Sequence, residues 1–196
     1  MVFIDYVTLL LVNMTAGFVL LAGFVALGLG ETDRRRWIPG FLIVGFVALA
    51  FGAHMTTTWP LPGPYNSAYG EMSVLLGVIF LGAALAIGMG WELTTVGVYA
   101  FLAGLAAMLL GVRFISLGLT LQPLLSGVGF VLSGLGGVFA APTLLWFGKS
   151  LPFRYAAALL LLAAAGIWGL TAYGAYWDHM ARFAEWAPAV STASAK

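Results

Sequence analysis

Polar residues fall in short clusters along this chain, and between them lie six long apolar runs, at about 4–29, 37–53, 72–89, 93–112, 124–147 and 153–177. Each approaches the roughly 20 residues a helix needs to cross the hydrocarbon core of a bilayer, the second being the shortest. A membrane-spanning β-strand would need about ten residues alternating lipid-facing and lumen-facing side chains. These runs are instead apolar on every face and rich in Leu, Ala and Gly. The pattern predicts an all-α fold: a polytopic transmembrane helical bundle of six spans, forming a single domain over 1–180 with a short polar tail over 181–196.

Composition makes lipid the main solvent, since 62% of the residues are hydrophobic and 8% charged. Cytoplasmic loops of membrane proteins carry an excess of Lys and Arg. Arg34, Arg35, Arg36, Lys149 and Arg154 fall on one side of a six-span chain and Arg113, Arg182 and Lys196 on the other. That bias of five to three predicts both termini outside the cytoplasm. The first run has its basic residues after it rather than before it, the reverse of a secretory signal, so it is expected to be a retained span. With no cysteine, disulfides, thiolate ligands and thiol catalysis are excluded. The glycines lie within spans and none opens a P-loop, and eight basic residues on both faces leave no nucleic-acid surface.

Close approach of small residues drives helix packing in lipid, and Gly82 with Ala86, Ser133 with Gly137 and Ala165 with Gly169 offer it. Asn13, two turns into the first span, is suited to an interhelical hydrogen bond. A weak internal echo pairs Gly17-Phe18-Val19-Leu20 with Gly129-Phe130-Val131-Leu132, and His54-Met55 with His179-Met180.

Polar chemistry gathers at the outer end of this arrangement. Asp5, His54, Glu71, Arg113, Asp178 and His179 all fall there, whereas the cytoplasmic end carries ordinary loop charges. Between the second and third spans runs Thr56-Thr57-Thr58-Trp59-Pro60-Leu61-Pro62-Gly63-Pro64-Tyr65-Asn66. Three prolines fix φ and lack donors, and Trp and Tyr favour the headgroup region. The segment is expected to form a stiff, non-helical lid, with Trp59 and Tyr65 covering the outer end.

The loop from Thr57 to Asn66 with Gly70-Glu71, the run Val98-Tyr99-Ala100-Phe101-Leu102-Ala103-Gly104-Leu105-Ala106 and Gly134-Leu135-Gly136-Gly137 together resemble a prokaryotic integral-membrane family catalogued as domain of unknown function 981. The resemblance extends to about Trp177. It implies a multi-pass protein of the prokaryotic cytoplasmic (inner) membrane and supplies no catalytic residue.

Arg113 interrupts an apolar stretch. It either snorkels to the headgroups or pairs with Glu71 or Asp178, and a Glu71–Arg113 pair near His54 is the expectation. His54 and His179 could ligate one haem iron from opposite faces, or copper with Met55 and Met180, or sit as plain interfacial residues; a histidine beside Asp178 also suits proton handling. The leading functional expectation is a non-catalytic accessory or scaffold subunit of a larger membrane complex, electron transfer being one setting, with other subunits or further copies as partners. One alternative is a redox protein whose outer pocket of His54, Glu71, Arg113 and His179 holds haem b or a quinone. The other is a small transporter or channel, against which stands the scarcity of mid-membrane polar residues.

Overall fold

The computed structural model describes residues 5–182. Among these there is no strand, and six helical segments are long and apolar enough to cross a membrane, as the hydropathy pattern predicts. They are α1 (Tyr6–Ala26), α2 (Ile38–Thr58), α3 (Met72–Met89), α4 (Thr94–Leu117), α5 (Pro123–Val138) and α7 (Leu151–Ala181). A single turn, α6 (Ala140–Pro142), and a π-helical turn (Thr143–Phe147) prolong the fifth span. The predicted tail beyond 182 lies outside the described residues.

Local sequence explains the helix ends. Asp5 caps α1 by accepting from the Thr8 amide at 3.4 Å, and prolines sit in the first turn of α2, α5 and α7, where the missing donor goes unnoticed. Gly90 and Gly118 close α3 and α4 in the left-handed conformation. The second helix outruns its apolar stretch because the hydroxyls of Thr56, Thr57 and Thr58 bond back to the carbonyls of Gly52, Ala53 and His54 at 2.7–2.8 Å. It stops at Trp59, whose φ of 48° is strained for a bulky side chain. Pro60 disfavours the right-handed helical region for the residue before it.

The helices close into a ring in the order α1, α2, α3, α4, α5, α7 and back to α1. Three neighbouring pairs pack tightly: α1 with α7, α2 with α3, and α4 with α5. In two of them glycines bring backbones into contact. A Cβ on Gly77 would lie 2.6 Å from the Leu49 nitrogen, and one on Gly104 2.5 Å from the Gly134 carbonyl oxygen. The looser seams are α1/α2, α3/α4 and α5/α7.

Of the small-residue pairs singled out in the sequence, Gly137 abuts α4, where an added Cβ would lie 2.6 Å from the Ala100 oxygen, and a Cβ on Gly169 would meet Thr15 at 3.3 Å. A Cβ on Gly82 would meet only a Val96 methyl at 3.6 Å, an ordinary contact. Asn13 makes the expected interhelical bond, its Nδ2 donating to the Val44 carbonyl at 3.0 Å.

Candidate functional site

At the end of the bundle where α1 begins, two consecutive residues tie three helices together. Asp5 Oδ2 lies 2.7 Å from His179 Nδ1 on α7. The Tyr6 hydroxyl and His54 Nδ1 on α2 share a 2.7 Å hydrogen bond, with the two rings stacked at 5.5 Å. Tyr6 itself is buried. Both histidines thus reach the start of α1 from different neighbours, each with Nδ1 committed to a protein partner. The Met55 and Met180 echo does not carry over into structure: Met55 is fully buried and Met180 is 79% exposed. No group of three or more potential metal-ligating side chains occurs among the described residues.

Glu71 and Arg113 do not form the expected ion pair. Glu71 Oε1 accepts from Ser67 one helical turn earlier, at 2.9 Å, and Arg113 is exposed on α4. Asp178 pairs with Arg182. The expectation assumed that both Glu71 and Arg113 were partly buried; both are exposed, so neither pays a desolvation penalty that pairing would offset.

The proline loop is ordered as expected, but only its middle, residues 59–64, is non-helical: Thr56, Thr57 and Thr58 belong to α2, and Tyr65 and Asn66 lead into a π-helical segment (Asn66–Glu71) that runs into α3. Asn66, wholly buried, holds the loop closed: its Oδ1 accepts from the Leu61 amide at 3.1 Å and its Nδ2 donates to the Leu61 carbonyl at 2.5 Å. Leu61 and Tyr65 pack on the core, and the Tyr65 hydroxyl donates to the Leu119 carbonyl in the loop after α4. Trp59 is half exposed.

The opposite end holds a residue the sequence analysis placed among ordinary loop charges. Arg154 is only 6% exposed, and it reaches across to the last turn of α1. Its Nε donates to the Val25 carbonyl at 2.8 Å, and one terminal nitrogen donates to those of Ala26 at 2.6 Å and Leu27 at 3.0 Å. Helix C-termini leave carbonyls without intrahelical partners and carry partial negative charge, so this guanidinium caps α1 from α7. The signal for it was positional: Arg154 follows Pro152 inside the last span, whereas Lys149 precedes that span.

Between the helices lies a partly open cavity of about 340 Å³. Phe24, Phe41 and Phe80 wall it on one side, and a buried aromatic group of Tyr69, Phe114, Phe130 and Trp168 lies toward the Asp5 end. Tyr69, Ser73, Ser133 and Thr143 supply its few hydroxyls, and no charged side chain or histidine lines it. Trp168 Nε1 donates to Ser133 at 2.9 Å, and Ser133 and Thr143 donate to carbonyls of their own helical turns.

Fold and site together define a six-span helical membrane protein in which Asp5 with His179, His54 with Tyr6, and Arg154 bind helix to helix at the two ends and whose interior cavity is apolar. The family model described as "Protein of unknown function (DUF981)" matches residues 1–182, and the chain belongs to that family. No curated protein and no solved structure matches it.

Proposed function

We propose that the protein is a non-catalytic membrane subunit, working as an accessory or scaffold within a larger assembly of the prokaryotic inner membrane, with both termini outside. The supporting observation is the separation of chemistry from space. Arg154, Asp5 with His179, and His54 with Tyr6 are engaged between helices, and the cavity is lined without any of them. A catalytic site needs acid, base or nucleophile within hydrogen-bond reach of a bound reactant. The arrangement also weighs against the haem or quinone alternative, because His54 and His179 are bonded to Tyr6 and Asp5 rather than turned toward one shared ligand.

Extraction of the native membrane in polymer discs tests this. The expected particle is larger than the 20.7 kDa chain and retains defined partner subunits on repeated purification, and its reduced-minus-oxidised spectrum is featureless in the Soret region. A monomeric particle whose Soret band disappears in the His54→Ala variant would replace the scaffold reading with the redox one.

A further inference from the structure

We propose that the interior cavity is a lipid site. It takes one hydrocarbon chain of an anionic phospholipid, whose phosphate rests in the polar hollow beside Arg34 and Arg35. The two spaces meet at one residue. Leu93, the buried residue just ahead of α4, borders the apolar cavity and also a second hollow of about 540 Å³ bounded by Glu31, Asp33, Arg34 and Arg35. An apolar slot that opens onto a polar corner at a membrane surface has the two-part character of a phospholipid.

The slot follows α1 from Met14 to Val25, about 16 Å at 1.5 Å per residue, so it is elongated along the membrane normal as an acyl chain is. Apolar cavities exclude water, and an unfilled one forfeits dispersion contacts along its lining, so a hydrocarbon chain is the filler the bilayer supplies. The Ser133 and Thr143 hydroxyls already donate within the bundle, which leaves a quinone ring only those of Ser73 and Tyr69.

Charge selects the headgroup. The two acids of the hollow are engaged: Glu31 accepts from Arg36 and, at 3.1 Å, from Trp37 Nε1, and Asp33 accepts from the Arg35 amide at 2.9 Å. Arg34 gives one nitrogen to the Leu29 carbonyl at 3.2 Å. The Arg35 guanidinium has no ion-pair partner among the described residues. A phosphate there would meet Arg35 and the remaining donors of Arg34, the geometry guanidinium groups favour.

The test is photo-crosslinking in phosphatidylcholine nanodiscs doped with phosphatidylglycerol that carries a diazirine near the end of one acyl chain. Label should appear on peptides at Ala103 and Leu160, which line the cavity, in preference to Leu102 and Leu159, their outward neighbours. Ala103→Phe, or Ala157→Leu from the α7 wall if the first variant does not fold, should abolish cavity labelling. Arg35→Ala should leave the labelled positions unchanged but reduce the preference for phosphatidylglycerol over equally tagged phosphatidylcholine about fivefold, as expected for one basic residue near a membrane surface. Equal labelling of outward and inward positions would overturn the proposal, as would labelling that survives both fillings or no preference between the two headgroups. Displacement of the label by an uncharged isoprenoid quinone would assign the cavity to a different source of hydrocarbon and equally overturn it.

Discussion

Replacing Arg154 by alanine should destabilise the protein more than removal of any other charge. The guanidinium is buried, has no carboxylate partner among the described residues, and is held by three carbonyls at the end of α1. Without it the Leu27 carbonyl keeps the Gly30 amide at 3.0 Å, but those of Val25 and Ala26 lose the arginine. Each orphaned buried acceptor costs about 1–3 kcal/mol, and losing a cation at a helix C-terminus about 1 more. Relief from burying the guanidinium offsets part of this, leaving a net loss of about 3 kcal/mol. For a chain of this length that lowers Tm by about 6–12 °C. Thermal unfolding in detergent micelles measures it, with Arg35→Ala as the exposed control, expected to shift Tm little. Arg154→Lys, which keeps the charge but not the fork, should recover only about half of the loss. A drop for Arg154→Ala no larger than for Arg35→Ala would refute the capping role.

Gly104→Ala should cost about 1–3 kcal/mol by forcing α4 and α5 apart, whereas Gly166→Ala, with nothing within 4 Å, should be neutral or stabilise by about 0.5 kcal/mol; unfolding curves of the two variants separate packing from propensity. Asn66→Ala should speed hydrogen exchange at the Leu61 amide about tenfold, since its acceptor is the Asn66 side chain; unchanged protection would mean the loop is held by other contacts. Asp5→Ala should cost about 1 kcal/mol through the lost cap, and a cycle with His179→Ala should be non-additive. Strict additivity would show that the Asp5–His179 contact carries no coupling.

What could be read in the sequence was what depends on polarity along the chain. The six spans follow from transfer energetics alone, and Asn13 and the proline loop were legible because a lone amide in lipid must find a partner and three prolines cannot be helical. The Glu71–Arg113 pair failed because proximity in a span diagram says nothing about which face of a helix a residue occupies. Both face outward, and Ser67 was a nearer partner for Glu71. Arg154 was missed for the opposite reason. Its carbonyl partners lie 127–129 residues away, and only the contact between the first and last spans, which no local pattern encodes, makes an arginine near a loop into a helix cap.

That same separation sets an order of events during synthesis. The α2–α3 and α4–α5 pairs join helices adjacent in sequence and can form as soon as each second member enters the bilayer. The α1–α7 pair cannot. At about 5–20 residues per second, the 128 residues between Ala26 and Arg154 take on the order of ten seconds to emerge. Throughout that interval the end of α1 waits in the membrane without its arginine, and Asp5 at its start waits without His179. The ring is therefore completed by its final helix, as a clasp, and a truncation ahead of Arg154 leaves an open chain of helices whose first member has lost both its cap and its neighbour.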